Sequence, residues 1–267
     1  MEHVSSSVTL IETKKRSLVP EKWEDQVRTI GISECKEAAL SLAQAFATDE
    51  LAQYLLDAED VKGEESKWRL HVDIFNYIVA AHCYKGVVTT IGPDYEAVAL
   101  WMPPGKDADD WLTLLRSGMW RLYYQLSAEG RRRYYNELLP VLHRTKHEVM
   151  GDRDDDCYYL VYLGTKPSGQ RRGYGRKLIE HMAAKADAEG RPMYLESSSE
   201  TNSSYYKKFG FEIKRDIYLG GETAAKGGAH SDAAPVRLTI MVREPRKLTL
   251  AHTIPIKLHS GFSHRAL

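Results

Sequence analysis

The order of elements in the second half of the chain predicts an α/β (α+β) fold. Aromatic and β-branched residues over 157–164 indicate a buried strand, and a glycine-rich motif at 169–176 separates this strand from an amphipathic helix. Two further strands, 192–197 and 211–219, flank a short helix, and a last strand covers 236–244. Strands and helices in this order pack as helices against a central sheet.

The first half of the chain is predicted to supply three more strands and three helices. A strand is expected at 26–32, and Ser33 is expected to cap the helix that follows it. Asp49 is expected to open a second helix, and a third runs from about 64 to 80. Two strands joined by a turn at 92–94 follow and end at a Pro-Pro-Gly stop.

The elements are predicted to form a single domain over 25–245. Residues 1–24 have the composition of a loosely ordered lead-in, and 246–267 form a C-terminal tail. Within the domain, 103–150 are predicted to be helical, with a break near 127–130.

Composition and charge narrow the class of protein. Lys plus Arg equals Asp plus Glu at 37 each, so the whole chain has no net positive charge that would attract nucleic acid or an anionic membrane. Three scattered cysteines argue for a reducing compartment, and no apolar run approaches the roughly 20 residues that span a bilayer. We expect a protein of the cytoplasm, or of the cytoplasm and nucleus. We expect it to bind neither nucleic acid nor membrane, and a homodimer is one possible state.

The glycine-rich motif has the properties of a pyrophosphate site. The first amides of the helix after it have no intrahelical partners, and the positive end of the helix dipole lies behind them. Gly173 and Gly175 remove side chains that would block an anion, and Arg171, Arg172 and Arg176 add charge. Neither a Walker loop nor a dinucleotide fingerprint fits these residues.

The pattern Gln-x-x-Gly-x-Gly over 170–175, with Pro167 before it, resembles the acetyl-CoA-binding motif of the GNAT acetyltransferase superfamily. A second stretch, from Asn202 to Phe211, contains Tyr-x-x-x-Gly-Phe and looks most like the puromycin acetyltransferase branch. The resemblance implies a central mixed, mostly antiparallel sheet that splays between its fourth and fifth strands, with helices on both faces. It also implies that 103–150 are a helical insertion.

The resemblance implies an acetyl-CoA-dependent N-acetyltransferase that transfers the acetyl group directly to a primary amine of a small molecule, without a metal. Tyr206 is expected to be the general acid, because a phenol with a pKa of about 10 stays protonated at neutral pH and can donate to sulfur. Glu196, at the end of a strand beside the cleft, is the candidate base. The residues expected to bind the cosubstrate are Leu163, Gly164, Thr165, Gln170, Arg171, Arg172, Gly173, Tyr174, Gly175, Arg176, Asn202 and Tyr206.

Two other functions stay open at this stage. One is a protein or peptide N-acetyltransferase, and the other is a CoA-binding regulatory module without catalysis. The bulky aromatic residues of 103–150 are expected to form core or to border an acceptor pocket, and Trp111 and Tyr124 are the candidates for that pocket.

Two positions depart from the pattern of the superfamily. Arg171 stands where many members have glycine, and Cys157 stands where some members place a histidine near the substrate amine. His143 and His147 have the spacing of a zinc pair, but no third ligand accompanies them, so a solvated helix face is expected.

Overall fold

The structure of the protein is a computed structural model that describes residues 23–57, 63–108, 110–220 and 235–246. The predicted lead-in and tail lie almost entirely outside these residues. The strands of the described chain are β1 Arg28–Ile30, β2 Val87–Ile91, β3 Ala97–Met102, β4 Tyr158–Thr165, β5 Met193–Ser197, β6 Glu212–Leu219 and β7 Val236–Arg243.

The seven strands of the described chain form one mixed sheet in the order β1-β2-β3-β4-β5-β7-β6. All neighbouring pairs are antiparallel except β4 and β5, which run parallel. The predicted mixed, mostly antiparallel sheet is therefore confirmed.

Helices cover both faces of this sheet, as predicted. The helix Tyr174–Glu189 (α8) buries Leu178, Ile179 and Met182 against one face. The helices Cys35–Ala45 (α1) and Glu64–Lys85 (α3) bury Leu42 and Phe75 against the other. No helix among the described residues has both the length and the apolar character needed to cross a membrane. The α-helices are α1 Cys35–Ala45, α2 Glu50–Leu56, α3 Glu64–Lys85, α4 Trp111–Ser117, α5 Leu122–Gln125, α6 Ala128–Arg131, α7 Leu139–Met150, α8 Tyr174–Glu189 and α9 Glu200–Lys207.

The sheet opens between β4 and β5. These strands pair only from Tyr158 to Leu160, and the next residue, Val161, is an extra residue that β3 does not match. From Val161 to Thr165 the edge of β4 toward β5 has no strand partner within the described chain. The predicted splay between the fourth and fifth strands is confirmed.

The bulge at Val161 sets the direction of the side chains that follow it. The ring of Tyr162 packs edge-on against Phe46 and Phe75, with centroid distances of 5.2 and 5.1 Å. Gly164 lies beneath α1, where an added Cβ would come within 2.8 Å of two α1 side chains. Only glycine allows α1 to lie this close to β4.

The starts of the first two helices differ from each other. The predicted cap at Ser33 is wrong, because Ser33 lies in a 3₁₀ turn over Ile32–Glu34 and α1 begins at Cys35 without a side-chain cap. Asp49 does cap α2. Its Oδ2 accepts from the amides two and three residues further on, at 3.1 and 3.2 Å.

The helical segment over 103–150 is broken where the sequence predicts a break. Ser127 starts a new helix, and its Oγ accepts from the amide three residues further on at 3.0 Å. A π-helical turn follows over Arg132–Leu138, where the amide of Leu139 donates to the carbonyl of Tyr134. Pro140 has no amide for the usual bond and would crowd the carbonyl four residues before it, which favours this wider turn.

Candidate active site

Two cavities meet at the splay of the sheet. The first, here called the motif cavity, has a volume of about 680 Å³ and extends over the glycine-rich motif. The second, here called the apolar cavity, has a volume of about 730 Å³ and extends toward the 103–150 segment. Molecules held in the two cavities would meet where both are lined by Phe46, Asp49, Leu163, Ser198, Asn202 and Tyr206.

The backbone of the motif cavity is shaped for a close approach to the start of α8. Gly173, the residue before the helix, has φ 78°, and Arg171 has φ 62°, both in the left-handed region that favours glycine. An added Cβ at Gly175 would lie 3.4 Å from the hydroxyl of Tyr205 and 3.7 Å from Oγ1 of Thr165. A side chain there would occupy the cavity, so glycine keeps the first amides of α8 accessible.

Two of the predicted arginines are directed away from the cavity lining. Arg172 donates to Glu96 at 2.8 Å, and Arg176 donates to Glu180 at 2.7 Å. Arg172 therefore attaches the motif to the β2–β3 turn, and Arg176 pairs along its own helix. The other ten predicted cosubstrate residues line the motif cavity: Leu163, Gly164, Thr165, Gln170, Arg171, Gly173, Tyr174, Gly175, Asn202 and Tyr206.

Tyr206 lies on α9 at the junction of the two cavities. Its ring packs against Tyr205 and Phe211, with centroid distances of 6.0 and 5.8 Å. Burial raises the pKa of Tyr206, so the phenol is protonated at neutral pH. Among the described residues its hydroxyl has no hydrogen-bond partner, which leaves the proton available to a molecule in the site.

Glu196 is the last residue but one of β5 and lines the apolar cavity. Its Oε2 accepts from the hydroxyl of Tyr159 at 2.7 Å, while Oε1 is buried without a partner in the described structure. Burial raises the pKa of Glu196 to about 7, although the hydrogen bond from Tyr159 and the charge of Lys146 favour the ionised form. A carboxyl with this pKa can accept a proton near neutral pH.

Sequence reasoning missed two links that build the site. Tyr159 reaches Glu196 because the parallel register places Tyr159 beside Tyr194, and Glu196 follows two residues later on the same side of β5. Asp49 accepts from the Ser198 hydroxyl at 2.7 Å and joins the start of α2 to the segment after β5. Because side chains alternate along a strand, the contact between Tyr159 and Glu196 can be predicted, but only once the register of β4 and β5 is known.

The apolar cavity has mostly aliphatic walls with acidic groups at its edges. Asp49 lines its junction with the motif cavity, Glu196 lines the apolar cavity alone, and Asp107 and Asp155 line a more exposed part. Cys157 also lines it, and burial raises the pKa of this thiol to about 11, so it is neutral at pH 7. The aliphatic walls include Leu51, Leu55, Ile74, Ile78, Met102, Met119, Leu122, Leu126, Leu138 and Leu142.

The structure does not bring Trp111 or Tyr124 to either cavity. Their side chains are 74% and 75% exposed and point to solvent. The same segment presents Met119 and Leu122 to the apolar cavity instead. Met119 and Leu122, rather than Trp111 and Tyr124, line the cavity on this side, because the side chains of Trp111 and Tyr124 face solvent.

The two histidines of α7 have different surroundings. Nδ1 of His147 lies 3.2 Å from Oδ2 of Asp154, and His143 lines the apolar cavity. Within the described ranges, no group of three or more His, Cys, Asp or Glu is placed to hold a metal ion.

Comparisons with known proteins agree with this arrangement. The profile of the acetyltransferase (GNAT) domain family matches residues 142–213. A protein of Schizosaccharomyces pombe described as an uncharacterized N-acetyltransferase is 43% identical over 210 residues, which cover 79% of each chain. The chain belongs to the GNAT acetyltransferase family and is an N-acetyltransferase; its likeness to the puromycin acetyltransferase branch stays a prediction.

Solved structures share the fold at low sequence identity. The structure of arylalkylamine N-acetyltransferase 2 from Aedes aegypti gives a TM-score of 0.52 at 17% identity, covering 83% of this chain and 99% of the other. Mosquito arylalkylamine N-acetyltransferase like 5b gives 0.53 at 16% identity, covering 82% and 99%. Identity this low shows a common fold alone.

Proposed function

We propose that the protein transfers the acetyl group of acetyl-CoA directly to the primary amine of a small molecule. The observation that carries this proposal is the meeting of two cavities at Tyr206, one over a helix start and one with apolar walls. Because each substrate has its own cavity, both can be present together, and the acetyl group need not pass through a covalent enzyme species.

The motif cavity fits acetyl-CoA. The open start of α8, kept free of side chains by Gly175, suits a pyrophosphate, and the unpaired edge of β4 from Leu163 to Thr165 suits the amide-bearing pantetheine arm. Bound acetyl-CoA supplies a thioester, whose carbonyl carbon the amine attacks. Ten of the twelve residues predicted to bind it line this one cavity.

Glu196 and Tyr206 are suited to the two proton transfers. Glu196, with a pKa of about 7, can take a proton from the incoming ammonium group directly or through water. Tyr206 stays protonated and can donate its hydroxyl proton to the departing sulfur. A non-catalytic CoA-binding module would have no need of either group at this site.

The acceptor that fits best is a primary amine with an apolar body. A volume of about 730 Å³ lies in the usual range for small-molecule sites, roughly 300–1,000 Å³. Asp49 and Glu196 place carboxylates where the cationic nitrogen would enter, and aliphatic side chains line the remainder. The mosquito enzymes of the same fold are named for arylalkylamines, so ring-bearing amines are the first probes to try.

The proposal is tested by measuring CoA thiol release from acetyl-CoA with a panel of primary amines and a matched panel of peptides. We expect turnover with apolar amines and initial-rate patterns of a ternary complex, and almost none in Tyr206→Phe. Turnover with peptides alone would contradict the small-molecule acceptor. Tight acetyl-CoA binding without turnover of any amine or peptide would favour a regulatory module.

The proposal includes a cytoplasmic location. All three cysteines, Cys35, Cys83 and Cys157, are free thiols. Free thiols are usual in a reducing compartment.

A further inference from the structure

The 103–150 segment exposes an unusual concentration of apolar side chains. Six of the eleven large hydrophobic side chains that are exposed in the described chain lie within 111–124. Three rings of this group, those of Trp120, Tyr123 and Tyr124, touch one another, with centroid distances of 6.2 Å for Trp120 and Tyr124 and 5.5 Å for Tyr123 and Tyr124. We call the group the aromatic face; it consists of Trp111, Leu112, Leu115, Trp120, Tyr123 and Tyr124.

The aromatic face supplies a large share of the area that one partner buries in a stable interface. Trp111, Trp120, Tyr123 and Tyr124 are 74%, 46%, 57% and 75% exposed. With about 150–250 Å² for a whole aromatic side chain, the four rings expose on the order of 500 Å². The two leucines add to this area, and a standard interface buries about 800 Å² on each partner. The four rings alone reach the upper part of the range, roughly 300–600 Å², of the largest apolar patch on a typical monomer, and patches of this size are often functional.

The aromatic face is held in place before any partner arrives. Asp110 caps α4 through the amide of Thr113 at 3.0 Å and forms an ion pair with Lys85 of α3 at 2.9 Å. The guanidinium of Arg116 stacks over the ring of Tyr84 at 4.3 Å. A surface that is already ordered loses little conformational entropy on association.

The composition of this face matches a protein interface better than a membrane surface. Residues 111–127 contain no Asp, Glu or Lys, and their two cations are Arg116 and Arg121. Protein interfaces are enriched in Trp, Tyr and Arg and depleted in Lys, Glu and Asp. Arg121 lies 5.1 Å from the centre of the Trp120 ring, so both arginines are already stacked on rings of their own chain and offer little to anionic headgroups.

We propose that a second copy of this chain covers the aromatic face in a symmetric dimer. Two-fold dimers are the commonest closed assemblies, and they place one patch against itself. Edge-to-face packing, which the rings already use within the face at interplanar angles of 78° and 80°, lets two identical aromatic patches fit together. The dimer would also support the inner side of the segment, where Met119 and Leu122 line the apolar cavity.

Sedimentation of the full chain over a wide range of protein concentrations tests the dimer. We expect a dimer for the wild type, and a dissociation constant raised by at least about 30-fold in Trp111→Ala and in Tyr124→Ala, because rings at the centre of an interface contribute most. Tyr218→Ala is the matched control, since Tyr218 is 57% exposed on β6, outside the face. It should dimerise as the wild type does.

Equal thermal melting of the variants at low protein concentration would show that the fold is intact. A wild type that stays monomeric at every concentration would overturn the proposal. So would a dimer that neither face variant weakens, because the interface would then lie elsewhere. A monomer that binds vesicles of anionic phospholipid through Trp111 and Tyr124 would overturn it in favour of a membrane surface.

Discussion

The hydrogen bond from Tyr159 to Glu196 gives a testable pH dependence. If Glu196 is the base, kcat/KM rises with pH through the pKa of its carboxyl, about 7. The substitution Tyr159→Phe keeps the ring and removes the donor that Glu196 Oε2 accepts at 2.7 Å. The ionised carboxylate then loses a favourable contact, so we expect the pKa of Glu196 to rise further.

The size of the shift follows from the strength of the bond. A hydrogen bond to a charged group contributes about 1.5–3 kcal/mol, and the neutral acid retains part of it. A difference of about 1.4 kcal/mol between the two forms moves the pKa by about one unit, to roughly 8. The ionised fraction at pH 7 then falls from about one half to about one tenth, which lowers kcat/KM roughly fivefold at pH 7 and hardly at pH 9.

The assay is the pH profile of kcat/KM for wild type, Tyr159→Phe and Tyr158→Phe with one amine. Tyr158 is the matched control, because its hydroxyl donates to Glu189 at 2.6 Å on the opposite side of β4. Glu196→Gln should remove this rise of kcat/KM with pH altogether. If Tyr159→Phe leaves the rise of kcat/KM at its original pH, or if Tyr158→Phe shifts it equally, Tyr159 does not set the pKa of Glu196.

Three further predictions concern the cosubstrate, the acid and stability. Gly175→Val should weaken acetyl-CoA binding by more than about tenfold in calorimetry, because its side chain fills the motif cavity; His181→Val, on the exposed side of the same helix, should not. Tyr206→Phe should lower kcat by about 10² to 10⁴ at unchanged acetyl-CoA KM, whereas Tyr205→Phe should keep most of the turnover. Burial lowers the pKa of His82 from 6.5 to about 4. The neutral imidazole therefore contributes fully to the stability of the fold above pH 6.5, and this contribution is lost as the pH falls from 6.5 through 4. In urea unfolding, the free energy of unfolding of the wild type should fall between these pH values by up to about 3 kcal/mol more than that of His82→Gln. Equal losses in the two proteins would contradict this role of His82.

Local patterns in the sequence predicted the elements around the glycine-rich motif well. Residues 169–186 contain the glycines, the helix start and the apolar stripe, so their geometry follows from neighbours along the chain. The Asp49 cap is equally local. The Ser33 cap failed because the chain instead closes a 3₁₀ turn, in which the Glu34 amide donates to the Gly31 carbonyl at 3.1 Å.

Features set by distant contacts could not be predicted. The bond between Tyr159 and Glu196 depends on the register of two strands whose paired residues lie 35 positions apart along the chain. Helical spacing places Trp111 and Leu115 on one side of α4, but only the packing of α4 against α3 decides that this side faces solvent. The bulk and apolarity of Trp111 alone had suggested a side chain in the core or beside a pocket.

The extra residue at Val161 ties the opening of the sheet to a single position in β4. Leu160 pairs with Trp101 and Tyr162 pairs with Leu100, so deleting Val161 alone would leave both pairs in register and on their present faces. Tyr162 would stay against the rings of Phe46 and Phe75, and Gly164 would stay beneath α1. The bend and added twist that the extra residue gives β4 would be lost just where β4 leaves β5. We therefore expect the deletion to spare the packing of β4 and to narrow the gap in the sheet at which the two cavities meet.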